Sequence, residues 1–116
     1  MIEVNEYVRT KDGVIDKVDA LYGMIENTIH LENQKWFDTK NIVKHSKQLI
    51  DLIEVGDYVN GMEVLDIYKP RDLWEPIEIR GDSRYMNFIL AEDIKIILTK
   101  ESYMANCYKV GGEDGN

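Results

Sequence analysis

The sequence predicts a mainly β fold: a single small domain, built either as a Src-homology-3-like barrel or as a strongly bent antiparallel sheet, with one short helix. Two hairpin signals carry this prediction. Asp12-Gly13 lies between Tyr7-Val8 and Val14-Ile15, and Asn60-Gly61 follows Tyr58-Val59. Asp-Gly and Asn-Gly pairs are typical of tight hairpin turns, because glycine and asparagine tolerate a positive φ. A series of short strands separated by such turns favours a small barrel or a bent sheet.

Alternating apolar residues predict the other strands. Ile25, Asn27, Ile29 and Leu31 share one face of a predicted strand, as expected for a side-chain period of two. The further strands are predicted at Ile42-Val43, Ile77 with Ile79, Met86-Phe88-Leu90, Ile94-Ile96-Leu98 and, last, Tyr108-Lys109-Val110.

The predicted short helix follows Ser46, whose hydroxyl can cap a first turn over residues 49–53. Residues 100–105 are predicted to form another helical turn. From Trp36 to Gln48 the periodicity is poor, and both strand and helix remain open. Residues 69–76 hold both prolines and are predicted as a loop. The domain is expected to span residues 1–110, followed by a flexible tail over 111–116.

The two hairpins resemble each other. Glu6-Tyr7-Val8 precedes the first turn and Asp57-Tyr58-Val59 precedes the second. An internal repeat would explain this likeness, and so would hairpin chemistry that two unrelated hairpins share. The second explanation is favoured, because tight turns constrain the residues around them.

Composition excludes several classes of protein. The chain has 116 residues, with 14 Lys and Arg against 22 Asp and Glu, for a net charge of −8. Such an acidic chain is a poor ligand for a phosphate backbone or for anionic lipid. One cysteine excludes an internal disulfide framework. The acidic start and the short apolar runs predict a cytoplasmic protein with no membrane span.

Motifs for catalysis and metal binding are missing from the sequence. The candidate soft metal ligands, His30, His45 and Cys107, are scattered, and none has the spacing of a zinc site. There is no Gly-x-Ser-x-Gly elbow and no glycine-rich phosphate loop. Cys107 is interpreted as a small buried hydrophobic residue. The sequence therefore predicts no catalytic, cofactor-binding or metal-binding residues, and no enzyme.

The acidic cluster Asp51, Glu54 and Asp57, at the end of the predicted helix, is the candidate partner-binding surface. It has two interpretations: excess acid that keeps a small protein soluble, or a surface that imitates a nucleic-acid backbone and occupies a basic groove on a partner. The candidate residues for selectivity in that contact are Trp74, Arg80, Arg84 and Tyr85.

Several blocks of the chain carry a family resemblance. They are EYVRTKDG from Glu6, IVKHSKQLIDLIEVGDYVNG from Ile42, and the shorter LTKE from Leu98 and YKVG from Tyr108. These blocks resemble a family of small uncharacterised proteins of phages and prophages of Gram-positive bacteria. The resemblance implies a phage accessory protein. Many small accessory proteins of phages bind and inhibit host factors, and this chain is similar to inhibitors of CRISPR effectors in size, charge and implied origin.

The resulting hypothesis is a non-enzymatic phage or prophage accessory protein that binds a protein partner. In its specific form, the protein is an acidic inhibitor of a host or defence protein that handles nucleic acid, such as a CRISPR effector. The alternative is a structural or oligomeric phage module. A small nucleic-acid-binding barrel is less favoured because of the net charge. No cofactor is expected, and the oligomeric state is open.

Overall fold

The computed structural model describes residues 2–21, 28–33, 36–70, 77–81, 88–108 and 110. In the first half of the chain, five strands form one antiparallel sheet in the order β4-β3-β2-β1-β5. The strands are β1 (Tyr7–Thr10), β2 (Ile15–Leu21), β3 (Thr28–Leu31), β4 (Trp36–Asp38) and β5 (Ile42–Ser46).

The second half of the chain forms another antiparallel sheet, in the order β10-β6-β7-β8-β9. The strands are β6 (Tyr58–Val59), β7 (Met62–Tyr68), β8 (Glu78–Gly81), β9 (Phe88–Leu90) and β10 (Ile97–Leu98), and they are followed by the helix α1 (Lys100–Asn106). The mainly β class is therefore confirmed, with two bent five-stranded sheets in place of one closed barrel.

The two sheets have the same topology. In each, four strands form a meander, and the fifth strand returns to pair with the first. A 3₁₀ turn precedes each fifth strand, at Thr39–Asn41 and Ala91–Asp93, and a helical turn follows it, at Leu49–Leu52 and in α1. The order of elements in the first half thus recurs in the second.

The repeat extends to the sequence before each first strand. Glu3–Val8 reads EVNEYV and Glu54–Val59 reads EVGDYV. The third residue of each block has a positive φ, 76° at Asn5 and 99° at Gly56. The internal repeat, the less favoured interpretation of the sequence, is the one that the strand order supports.

Backbone hydrogen bonds match between the halves. The N–H of Asn5 donates to the carbonyl of Val18 at 2.8 Å, and the N–H of Gly56 donates to the carbonyl of Val64 at 2.9 Å. Both valines are fully buried. The register of each sheet shifts by one residue directly after its valine, which marks a β-bulge that bends the strand.

Each sheet has its own apolar core. The first consists of Val8, Val18, Ile29 and Leu31. The second consists of Ile50, Ile53, Val59, Met62, Val64, Ile79 and Ile89. Ile50 and Ile53 follow β5 in the chain, yet they pack into the second core. Since burying an aliphatic side chain contributes about 1.5–3 kcal/mol, these two residues attach the connection to the second sheet.

Helical structure differs from the prediction in its placement. After Ser46 the chain forms only a 3₁₀ turn at Leu49–Leu52, because the backbone then becomes extended and directs Ile53 into the second core. The single α-helix of the described residues is α1. The side chain of Thr99 caps it by accepting a hydrogen bond from the N–H of Ser102 at 3.2 Å.

Residues 36–48, for which the sequence left strand and helix open, contain β4, a 3₁₀ turn and β5. The predicted final strand is wrong at Tyr108, which lies outside any strand; Lys109 lies outside the described residues. The predicted loop continues through Pro70 without regular structure, while residues 71–76 and the predicted tail 111–116 lie outside the described part of the chain.

The predicted alternation is also wrong before β10. Ile96 is 68% exposed, whereas Ile94 and Ile97 pack against the second core. The cause is the side chain of Asn60, whose Oδ1 accepts hydrogen bonds from the N–H groups of Lys95 and Ile96 at 2.8 and 3.0 Å. These hydrogen bonds hold residues 94–96 in an irregular conformation, so the alternation of buried and exposed side chains begins only at β10.

Substitutions of two glycines at hairpin turns test whether the first hairpin packs closely against the start of α1. Gly13 and Gly61 have φ of 87° and 83°. A Cβ at Gly61 would meet nothing within 4 Å, but a Cβ at Gly13 would overlap Thr99 Oγ1 and lie 2.7 Å from Glu101 Cβ. We expect Gly61→Ala to cost about 1 kcal/mol of unfolding free energy. Gly13→Ala should cost about 3 kcal/mol, because overpacking is added to the same backbone strain.

Urea unfolding of both variants measures the difference. Equal losses would contradict the close approach of the first hairpin to the start of α1.

Candidate functional site

A buried ion pair joins the two sheets. Arg9 on β1 and Asp57 before β6 have no exposed side-chain surface. The guanidinium donates from Nη1 to Asp57 Oδ2 at 2.5 Å and from Nη2 to Asp57 Oδ1 at 2.8 Å. Nη1 also donates to the carbonyl of Leu52 at 2.9 Å, and Nη2 to Glu101 Oε1 at 2.7 Å. A bidentate pair of this kind is strong and fixes geometry.

The carboxylate of Asp57 accepts two backbone hydrogen bonds as well. The N–H of Glu54 donates to Oδ2 at 2.8 Å, and the N–H of Lys100 donates to Oδ1 at 2.9 Å. Burial by itself raises the pKa of Asp57, but the hydrogen bonds from Arg9 and from these two N–H groups outweigh it. The pKa therefore lies below its ordinary value, and Asp57 is ionised in the folded protein.

Glu54 extends the cluster towards the surface. Its carboxylate lies 2.9 Å from Lys100 Nζ, 3.3 Å from Lys44 Nζ and 3.8 Å from Arg9 Nε. Burial raises the pKa of Glu54, and the three cations lower it further than burial raises it. With Asp57 and Glu101, three carboxylates thus face three cations, so the cluster is internally neutral.

These contacts change the interpretation of the predicted acidic surface. Asp57 is fully buried, which corrects its assignment to a surface that meets a partner. Glu54 is partly exposed, but its charge is balanced by Lys44 and Lys100. Asp51 is partly exposed, and it accepts a hydrogen bond from Ser46 Oγ at 2.5 Å. The structure does not bring Asp51, Glu54 and Asp57 together as a free acidic patch.

Arg80 is exposed on the outer face of the second sheet. Its guanidinium lies 4.6 Å from the centroid of the Tyr68 ring, and its Nη2 donates to Glu78 Oε1 at 3.2 Å. Phe88, its cross-strand neighbour, is 47% exposed. The other predicted selectivity residues, Trp74, Arg84 and Tyr85, lie outside the described residues.

Another set of carboxylates is free of cationic partners. Among the described residues, these side chains are exposed and make no ion pair: Asp12, Glu32, Glu63, Asp66, Glu92 and Asp93. The sequence could not separate them from the neutralised acids of the central cluster, because the ion pairs of that cluster join residues far apart in the chain.

Both histidines lie against carboxylates. His45 Nδ1 lies 2.6 Å from Glu6 Oε1, and His30 Nδ1 lies 2.6 Å from Asp19 Oδ1. Cys107 is partly buried at the end of α1, with Sγ 3.6 Å from the carbonyl of Met104. Within the described ranges, no three of the residue types His, Cys, Asp and Glu are grouped as a metal site would require.

Removing Asp57 should leave a buried cation with an incomplete set of partners. We expect Asp57→Asn to lower the unfolding free energy by about 3–5 kcal/mol, which is the usual cost of breaking a buried pair. The matched control is Glu78→Gln, which breaks the exposed pair with Arg80 and should cost about 1 kcal/mol or less. Urea denaturation gives both values. A loss for Asp57→Asn as small as that of the control would show that the pair does not support the fold.

Stability should also depend on pH in the acid range. The pKa values of Asp57 and Glu54 are depressed in the folded state from ordinary values of 3.8 and 4.5. Their contribution is therefore complete above about pH 5 and is lost as pH falls through the folded-state values. Glu54→Gln should make the unfolding free energy depend less on pH in this range, whereas Glu78→Gln should leave the pH dependence of the wild-type protein unchanged. Urea midpoints measured from about pH 7 to 3 test this, and identical profiles for the two variants would contradict it.

Comparisons with known proteins identify no relative of this chain. No family model, no curated protein and no solved structure matches the chain. No helix in the described part of the chain is long and apolar enough to cross a membrane.

Proposed function

We propose that this chain is a non-enzymatic accessory protein, of phage or prophage origin, that binds the basic surface of a protein partner. In the specific form of the proposal, the partner is a host or defence protein that handles nucleic acid, such as a CRISPR effector. The chain then inhibits the partner by occupying the groove that its nucleic acid would use.

The distribution of charge carries this proposal. The net charge is −8, and the cluster around Arg9 and Asp57 is neutral within itself. Exposed carboxylates with no cationic partner therefore contribute to the negative charge that remains outside this cluster. Complementary charge speeds association with a basic partner and selects against acidic ones. A groove built for phosphates offers such a surface.

The second sheet is the favoured contact. Of the free carboxylates, Glu63 and Asp66 lie on β7, and Glu92 and Asp93 lie in the turn before β10. Arg80 lies on the same sheet, between exposed aromatic rings, and arginine and tyrosine are common at the energetic centre of protein interfaces.

Asp51 remains a proposed contact at the edge of the neutral cluster. Trp74, Arg84 and Tyr85 remain proposed for selectivity, since their segments directly precede and follow β8 in the sequence.

Affinity capture tests the proposal. The tagged chain is incubated with lysate of a Gram-positive host, with and without a nuclease-effector system, and bound proteins are identified by mass spectrometry. We expect one basic nucleic-acid-binding protein in stoichiometric amount, with an affinity that falls steeply with added salt. A partner held independently of salt would contradict the electrostatic contact.

Charge-neutralising double variants locate the surface. Glu63→Gln/Asp66→Asn and Glu92→Gln/Asp93→Asn should each weaken binding about tenfold, since each removes two charges from the second sheet or from the turn before its edge strand. Asp12→Asn/Glu32→Gln removes the same net charge from the first half of the chain and should weaken binding by about threefold or less. Equal losses in all three variants would indicate a net-charge effect without a defined surface.

A second candidate function, an oligomeric phage module, is favoured by apolar exposure at the β10 edge of the second sheet. Ile96 precedes this edge strand and Leu98 lies on it, and Tyr103 and Met104 follow in α1; all four are exposed. Edge strands with apolar side chains readily pair with another chain. Sedimentation of the purified protein distinguishes the candidates: a defined oligomer without a host partner supports the module, and a monomer supports the inhibitor.

A further inference from the structure

We propose that the cleft between the first hairpin and β10 binds a small amphipathic anion, with one acidic group on an apolar body. The cleft has a volume of about 430 Å³, within the usual range for small-molecule sites, which often lie between structural units. Its lining residues are Tyr7, Ile15, Asp16, Lys17, Glu32, Asn33, Leu49, Ile94, Lys95 and Ile97.

The apolar part of the lining comes from both halves of the chain. Ile15 lies at the start of β2 and Leu49 in the turn after β5, while Ile94 and Ile97 belong to the approach to β10 and to that strand. All four are partly buried, so they offer apolar surface to a ligand while remaining fixed by the fold. Covering this surface would favour binding of a hydrocarbon or aromatic body.

Two lysines give the cleft its preference for an anion. Lys17 and Lys95 are the lysines of the lining. Like Lys11 and Lys69, they make no ion pair with any described residue, whereas Lys44, Lys47 and Lys100 do. Lys17 Nζ lies 5.6 Å from the centroid of the Tyr7 ring. Each ammonium group can therefore donate hydrogen bonds to an acidic group of a ligand without breaking an internal ion pair.

The two acids of the lining are not equivalent. Asp16 is buried, and its oxygens accept hydrogen bonds from the N–H of Lys17 at 2.8 Å and from the N–H and Nδ2 of Asn33 at 2.9 and 3.2 Å. Its charge is thus already stabilised by the protein. Glu32 is exposed and makes no ion pair with a described residue, so it should repel an anion at the opening. Neutralising Glu32 should therefore strengthen the binding of an anion, whereas neutralising a lysine of the cleft should weaken it.

The site is separate from the proposed function. That proposal depends on exposed carboxylates of the second sheet, and this one depends on unpaired lysines and an apolar floor. Either can fail without the other.

The first experiment uses a matched pair of probes on the full chain. Anilinonaphthalene sulfonate carries the anionic group, and phenylnaphthylamine is the same ring system without it. We expect saturable NMR shifts with the sulfonate at the amides of Tyr7, Lys17, Asn33, Leu49 and Ile97, and an affinity at least about tenfold above that of the neutral probe. Shifts elsewhere, or equal affinity for the two probes, would overturn the proposal.

Single substitutions then test the charges. Lys17→Gln and Lys95→Gln should each weaken sulfonate binding about threefold to tenfold, and Glu32→Gln should strengthen it about threefold, as expected for partly screened charges at short range. Lys69→Gln removes an exposed lysine that makes no ion pair and does not line the cleft, so it should change nothing. Loss of binding in the Lys69 variant, or no change in the other three, refutes the site.

Since anilinonaphthalene sulfonate also binds loosely packed states, the amide spectrum of each variant must match that of the parent chain. The comparison of the two probes on the parent chain needs no substitution, and it decides the proposal even where a variant fails to fold.

Discussion

The bidentate contact between Arg9 and Asp57 is the constraint on which the arrangement of the two sheets depends. Arg9 comes from the first strand of the first sheet, Asp57 directly precedes the second sheet, and Glu101 reaches the same guanidinium from α1. Taking these charges out of water is costly. The contacts of Nη1 and Nη2 with Asp57, Leu52 and Glu101 offset much of that cost, whereas the buried Nε of Arg9 makes no hydrogen bond. The geometry of the junction is therefore narrowly defined, and it brings Gly13 against Thr99, whose hydroxyl donates to the Gly13 carbonyl at 2.7 Å.

The ion pair between the two sheets involves a position that occurs in both copies of the internal repeat. Glu6 and Asp57 occupy equivalent places, and the carbonyl of each accepts a hydrogen bond from the N–H of the equivalent valine, Val18 or Val64, at 2.8 Å. Their side chains differ in partner: Glu6 lies against His45 of its own sheet, and Asp57 pairs with Arg9 of the other. The backbone role of the position is thus conserved between the halves, while the side chain of the second copy serves to join them.

The parts of this fold that sequence predicts are the local ones. Asn60 and Gly61 both have positive φ, as their hairpin requires, and Ile29 and Leu31 are buried together as their spacing predicts. Long-range partners were not predictable. Asp57 belongs by spacing to an acidic cluster, but its charge is neutralised by an arginine 48 positions away. The exposure of Ile96 also depends on a long-range contact, because its N–H donates a hydrogen bond to Oδ1 of Asn60 in the turn between β6 and β7.

The distribution of charge follows from the same contacts. Because Glu54, Asp57 and Glu101 are matched by Arg9, Lys44 and Lys100, these three acids contribute little field outside the protein. The field instead comes from acids such as Glu63 and Glu92, which no described cation neutralises. Lys17 and Lys95, like Lys11 and Lys69, make no ion pair with a described residue, although the protein has carboxylates to spare. Acids such as Glu63 and Glu92, and the lysines of the cleft, can therefore meet an oppositely charged group without breaking an ion pair of the described residues.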